Sequence, residues 1–289
     1  MASDGLVVVD KPAGWTSHDV VAKVRRFAGT RKVGHAGTLD PMATGVLILG
    51  VERATRLLGH LALHDKEYDA TIRLGRATTT DDKEGEFLGV DAEREATNLE
   101  DSRIAQAMSA LTGGIAQVPS SVSALKVDGV RAYKKARGGE AVELKPRPVT
   151  IADFALKARS GTDLDVHVTC STGTYVRALA RDLGLALGVG AHLTALRRTR
   201  SGPYTIDEAR SLDELERSFT TTSLAEAVAK AFPRVEVGEA DARRIGHGQR
   251  LVLPMDGPTV AVFAEDGRVI ALVENRDGVA HPLCVFEPA

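Results

Sequence analysis

The stretch Gly34–Val51, GHAGTLDPMATGVLILGV, sets the problem. Its first twelve residues hold three glycines, two threonines, a histidine and a proline around a single acid, Asp40. The apolar run GVLILGV follows at once and reads as a core strand. Gly, Thr, Asp and Pro are turn formers, so composition alone allows Asp40 to be a simple turn cap. It equally allows a rigid mount that presents one carboxylate. A nucleotide phosphate loop is poorly supported, because no GK[ST] ending is present.

Upstream, LVVV is a short buried strand and DKPAGWTS a turn, with Ser17 as the expected N-cap of the next helix. That helix, HDVVAKVRRFAG, places Val20, Val21, Val24 and Phe27 on one face and stops at Gly29. Downstream of the strand, Ala54, Leu57, Leu58 and Leu61 mark a further helical face. His60 and His64 sit four apart there, but without the glutamate of a zinc-protease motif they read as surface histidines. KEYDATIRL alternates Tyr68, Ala70, Ile72 and Leu74 at strand period, and DLDVHVTC alternates Leu164, Val166, Val168 and Cys170. LEDSRIAQAMSALTGG is a helix expected to stop at Gly113 and Gly114. Asp128–Gly129 marks a turn and RAYKKARGG a short basic helix. GTYVRALARDLGLALG turns Val176, Leu179, Leu183 and Leu187 inward and leaves Arg177 and Arg181, four apart, on a common face. HLTALRRTRSG is a strand with a basic end, and SLAEAVAKAF is the last helix of the main region.

Strands and helices mix without a regular βαβ repeat, which predicts an α+β class. The texture changes at Phe232–Pro233, where short strands VAVFA and RVIALVE are joined through a DG turn. We therefore expect residues 1–232 as the main domain and 233–289 as a small β-rich domain docked on it, since so short a piece is marginal alone.

The chain has 289 residues, 43% hydrophobic and 26% charged, as a globular protein does. No run of about 18 apolar residues and no secretory leader pattern are present, so neither membrane nor export is expected. Cys170 and Cys284 stand in unrelated contexts and suggest neither a disulfide framework nor a zinc site; a cytoplasmic setting fits. The net charge of −2 makes no whole-protein case for nucleic acid, but charge is unevenly spread. Asp81–Asp101 carries nine acids against two bases, a local −7. Ser123–Arg147 carries seven bases against three acids, and Tyr175–Arg200 five arginines against Asp182, each +4. Such basic segments suit either a phosphate-tracking groove or ordinary solvated faces.

Five ordered blocks settle the direction. GHAGTLDPMATGVLILG resembles the signature of the TruB-type tRNA pseudouridine synthases. LVVVDKPAGWTSHDVV, KEYDATIRLGRATTTDDKEG, VPSSVSALKVDGVRAYKKARGG and CSTGTYVRALARDLGLALGVGAHLTALRRTRSG resemble the family's other motifs in the same order, across residues 5–210. The resemblance implies an α+β pseudouridine synthase fold with a central mixed, mainly antiparallel sheet flanked by helices. It implies a PUA-like C-terminal domain, of which this chain shares only rough strand texture. It places Asp40 on the catalytic aspartate, Tyr68 on the tyrosine that stacks on the target base, and Arg177 on the arginine that pairs with that aspartate. His35 falls on the histidine that fills the space of the extruded base, Leu196 on an apolar pocket wall, and Tyr175, Asp82 and Lys126 on substrate contacts.

The implied activity is conversion of uridine 55 in the T loop of tRNA to pseudouridine. These residue types suit it. The base leaves the sugar through N1 and rejoins through carbon 5, with no redox change and no triphosphate, so no cofactor is expected. A carboxylate can attack the sugar carbon or remove a sugar proton. Either role needs it ionised in a dry pocket, which a neighbouring arginine favours. The target base must be flipped out at a cost of roughly a few kcal/mol, and an aromatic platform returns about 1–3 kcal/mol by stacking. The expected partner is the tRNA T arm, with the enzyme monomeric and needing no protein partner. Two rivals stand beside this reading: a non-catalytic RNA-binding or folding protein, and a synthase acting on another RNA. A tRNA-folding chaperone role can accompany catalysis.

Overall fold

The computed structural model describes residues 4–89, 91–120, 126–127, 130–131 and 144–287, the two short pairs at 126–131 by their backbone alone. The expected RAYKKARGG helix and the Asp128–Gly129 turn lie outside the described residues, apart from Arg131. By compactness the chain forms two units. One gathers Met1–Pro41, Gly45–Leu63 and Ser201–Ala289; the other holds Met42–Thr44 and His64–Arg200.

The first unit is organised by the strand Gly5–Lys11. It pairs antiparallel with Thr44–Val51, register Val8↔Ile48, and with the two-residue strand Thr222–Ser223. Val33–Ala36 flanks Thr44–Val51, with His35 opposite Leu49. The first helix, Ser17–Ala28, buries Val20, Val21, Val24 and Ala28. Its N-cap is Thr16, not Ser17: Thr16 and Asp19 form a reciprocal capping box, and Gly29 closes the helix at φ 63°. The face at Ala54, Leu57, Leu58 and Leu61 is buried as expected, but on a 3-10 stretch, Glu52–Leu57, and one α turn, Leu58–Leu61. Glu52 enters it at φ 53°, held by a hydrogen bond from its N–H to the Lys32 carbonyl at 2.8 Å.

The C-terminal part of this unit is a five-stranded mixed sheet. The expected hairpin is there: Thr259–Ala264 pairs antiparallel with Val269–Arg276. Arg234–Val237 adds a parallel edge on Thr259–Ala264. One apolar cluster joins Ala261, Phe263 and Leu272 of this sheet, and Phe286 just after its last strand, to Leu6, Val8, Leu57, Leu61 and Val228. A second cluster packs Val235, Val260, Val262, Ile270 and Val273 with Ala242 and Ile245 of the helix Glu239–Gly246. The sheet is thus buried on both faces, and one face shares its core with the N-terminal strand.

The second unit is built on neighbouring strands in the order Gly113–Gln117, Arg147–Ser160, Asp163–Cys170, Lys66–Leu74 and Ala191–Ser201. The first three pairings are antiparallel, with Tyr68 opposite Val168 and Lys66 opposite Cys170. Lys66–Leu74 alternates as its sequence predicts, with Tyr68, Ala70, Ile72 and Leu74 all buried. The helix Val176–Leu187 turns Val176, Leu179, Leu183 and Leu187 inward and ends at Gly188, φ 76°. The helix Asp101–Ala110 stops short of Gly113, which opens a strand instead. Helices and antiparallel strands in this proportion make the class α+β.

Candidate active site

The Asp40 loop is held by two residues that were not expected at the site, Lys11 and the serine expected as a helix cap, Ser17. Lys11 is fully buried at the end of its strand, and its ammonium donates to the carbonyls of Trp15 (2.6 Å), Pro12 (3.0 Å) and Pro41 (3.3 Å). A buried cation requires such a cage. Ser17, 1% exposed, donates from Oγ to the Leu39 carbonyl at 3.1 Å and accepts from the Leu39 N–H at 2.9 Å. Gly14 N–H adds a bond to the Pro41 carbonyl at 2.8 Å. The residues on both sides of Asp40 are therefore tied to the turn DKPAGWTS. The available signal was a lysine closing an apolar strand just before a proline.

Asp40 itself is half-buried in this loop. His35 stands on the strand leading into it, edge-on to His18 with ring centroids 5.5 Å apart and planes at 82°. Gly37, between them, takes φ 76°, a conformation that favours glycine.

In the second unit, Arg177 is 3% exposed on the first turn of its helix. Among its partners are the Thr80 carbonyl, 2.9 Å from Nη1, and the Asp82 carboxylate, whose Oδ2 is 3.4 Å from Nη1. Asp82 is equally buried and accepts from the Thr80 hydroxyl and from the Glu84 N–H at 3.0 Å. The loop is drawn tight enough that a Cβ on Gly85 would lie 2.4 Å from Thr80 Oγ1. It is stitched to the strand Ala191–Ser201 by Leu193 N–H to Asp81 O (3.0 Å) and Lys83 N–H to Leu193 O (2.8 Å). Asp82 is thus committed to its own loop and to Arg177. Tyr175 caps the arginine helix through its backbone, clamped by buried Gln117: Tyr175 N–H donates to Gln117 Oε1 at 2.8 Å, and Gln117 Nε2 to the Tyr175 carbonyl at 3.1 Å. Tyr68 and Leu196, each 8% exposed, lie on neighbouring strands. Lys126 sits in a two-residue strand opposite Arg131, and its side chain is outside the described part.

The acidic stretch and the Tyr175–Arg200 block meet each other, an outcome neither sequence reading foresaw, while most of the Ser123–Arg147 block lies outside the described residues. Arg177 faces Asp82, and Arg181 faces Asp81 at 3.2 Å. Arg76 takes Asp91 and Glu93, and Arg159 takes Asp101. Arg200 takes Asp65 and Glu67, both at 2.8 Å. Much of the acidic stretch and of the Tyr175–Arg200 block is thereby spent inside one unit rather than offered to an RNA backbone. Burial pushes the Asp81 carboxyl up, against the pull of Ser120 and Arg181. Burial also pushes the Lys66 ammonium down to about 8 and the thiol of Cys170 opposite it up to about 11. His60 and His64 are half-buried rather than on the surface, and burial lowers both. Among the described residues no helix is long and apolar enough to cross a membrane, and no cluster of metal-binding side chains occurs.

The fold and its relatives together define a pseudouridine synthase. A chain in a Cbf5–Nop10–Gar1 complex matches with a TM-score of 0.76 at 27% identity, covering 98% of this chain and 85% of that one. A chain of an H/ACA ribonucleoprotein bound to a substrate RNA containing 2′-deoxyuridine matches with a TM-score of 0.74 at 26% identity, with the same coverage. Residues 25–176 match the model of the TruB family pseudouridylate synthase N-terminal domain, and residues 232–287 that of the tRNA pseudouridine synthase II C-terminal domain. A second C-terminal model, of tRNA pseudouridylate synthase B, matches residues 177–258. The tRNA pseudouridine synthase B of Thermobifida fusca is 58% identical over 98% of this chain and 99% of its own length; that of Streptomyces coelicolor is 57% identical over 98% and 97%. The chain belongs to the TruB family of pseudouridylate synthases.

Proposed function

We propose that the protein isomerises uridine 55 in the T loop of tRNA to pseudouridine, with Asp40 as its catalytic carboxylate. The observation that carries this reading is full-length identity of 57–58% to enzymes named tRNA pseudouridine synthase B. The N1–C1′ bond breaks and a C5–C1′ bond forms; carbon 5 gives up a proton and N1 gains one. Atoms and electrons balance without a co-reactant, so the reaction runs without a cofactor. Asp40 attacks the sugar carbon or takes a sugar proton, and Arg177 pairs with it and keeps it ionised. Tyr68 stacks on the flipped base against Leu196, His35 occupies the space the base leaves, and Tyr175 and Lys126 contact the substrate.

The buried place of Asp82 supports a positioning role for it, through Arg177, in addition to any substrate contact. Residues 1–232 act as the catalytic domain and 233–289 as a PUA-like RNA-binding domain. The enzyme works in the cytoplasm as a monomer without a protein partner, and can assist tRNA folding. Asp40→Asn tests the centre of this reading: it should bind tRNA as the wild type does and form no pseudouridine at position 55. Full turnover by that variant would sink it.

A further inference from the structure

We infer that the first helix and the turn after it, together with Trp15, form a second RNA-binding surface, which takes substrate phosphates and one unpaired base outside the reacting nucleotide. The inference rests on reading the Asp40 loop as the catalytic one.

Lys23–Lys32, KVRRFAGTRK, carries five bases and no acid, a denser positive run than either segment weighed above. Three of these bases are engaged. Lys23 pairs with Glu216 at 2.9 Å, Lys32 with Glu52 at 3.6 Å, and the Arg25 guanidinium donates to the Val33 carbonyl at 3.1 Å. Arg26 and Arg31 are exposed, and neither side chain has an ion pair or hydrogen bond among the described residues. This contrasts with Arg177, Arg181 and Arg200, whose charge is spent on carboxylates of their own unit.

The chain's single tryptophan stands beside this run. Trp15 is 37% exposed, although so large an apolar ring is ordinarily well covered. It walls an open cleft of about 360 Å³ with Gly14, Ala22, Lys23 and Arg26. Its backbone is fixed, because the Trp15 carbonyl is a ligand of the buried Lys11 ammonium. An exposed aromatic face in one cleft with the unpaired Arg26 guanidinium is the pairing that single-stranded RNA uses: bases stack, phosphates take the charge. Two acids limit where RNA can lie. Asp19 lines the same cleft, with one oxygen held by Thr16. Beyond Trp15 an adjoining cleft is lined by Asp10 and Asp213. RNA therefore tracks toward Arg26 and Arg31, away from the Asp213 end. That direction is continuous with the proposed active centre, since His18 of the same helix packs on His35 and the strand Val33–Ala36 follows the basic turn directly.

The test is a salt series of tRNA binding, with kcat and KM measured beside it, for wild type, Arg26→Glu, Arg26→Glu/Arg31→Glu, Trp15→Phe and Trp15→Ala. Arg94→Glu, an equal charge reversal within the acidic stretch, is the control. Each lost phosphate contact flattens the slope of log affinity against log salt by about 0.7–0.9. The double reversal should flatten it by about twice that and weaken binding at least tenfold, while Arg94→Glu keeps the wild-type slope. Trp15→Ala should lose about 5- to 150-fold in affinity, and Trp15→Phe should keep most of it. Wild-type slopes in the double variant, an equal effect from Arg94→Glu, or a loss confined to kcat would overturn the surface. Failure of the Asp40 reading would show separately, as turnover by Asp40→Asn with these affinities unchanged.

Discussion

Ser17 holds Leu39 from both sides of its peptide unit, giving one hydrogen bond to its carbonyl and taking one from its N–H. A side chain at the start of a helix thus fixes the residue next to the proposed catalytic carboxylate. Removing the hydroxyl leaves a buried donor and a buried acceptor unpaired, at about 1–3 kcal/mol. Positioning tolerances in catalysis are narrow, so the larger effect falls on the reaction. Ser17→Ala should lower kcat by about tenfold or more with KM changed far less, and lower Tm by several degrees. Steady-state kinetics beside a melting curve decides it; wild-type kcat would show that the loop holds its shape without Ser17.

Asp82 offers a sharper split. If it serves Arg177 rather than RNA, Asp82→Ala removes one partner of a buried ion pair and costs about 3–5 kcal/mol of stability. Melting temperature and kcat should fall together, and tRNA affinity should change little. Reduced affinity at an unchanged Tm would instead make Asp82 a direct substrate contact.

Lys66 makes a prediction about pH. Burial, aided by the nearby Arg198, lowers its ammonium to about 8 from 10.5. Between those values the unfolded chain binds the extra proton and the folded chain does not, so this group makes stability rise with pH. Its penalty is fully present below about pH 8 and is relieved as pH climbs toward 10.5. Lys66→Met, which keeps the length and removes the charge, should gain on wild type most at neutral pH and lose most of that advantage by pH 10. Urea midpoints of both proteins at several pH values would check this; a constant difference would place the Lys66 charge in a solvated site.

Periodicity served well wherever one side of an element is buried. Val20, Val21 and Val24, and the Tyr68–Leu74 alternation, all point inward as their spacing predicts. It served less well where backbone geometry or pairing at a distance decides. Nothing in Ala54–Leu61 separates 3-10 from α spacing over so few residues, and the entry at Glu52 is fixed by a contact with Lys32 twenty positions earlier. Ser17 looked like a cap because serine often is one; Thr16, with Asp19 three residues on, makes the capping box and releases Ser17 for Leu39. The charge blocks were countable from sequence, but their mutual neutralisation depends on which strands lie side by side. Motif resemblance named the residues of the proposed site; Lys11, Gln117 and Gly85, which hold them, became evident only from their partners.

The shared core of Leu6 and Val8 with Phe263, Leu272 and Phe286 has a consequence for biosynthesis. The N-terminal strand closes its hydrophobic surface against residues that lie far along the chain from it, while almost all of the other unit is one continuous piece, His64–Arg200. Domains fold as they emerge from the ribosome, so that continuous piece is complete well before the N-terminal strand finds its cover. The mount of the Asp40 loop grows out of that strand through Lys11. A chain cut short before Phe263 therefore leaves the strand that carries Lys11 without its cover.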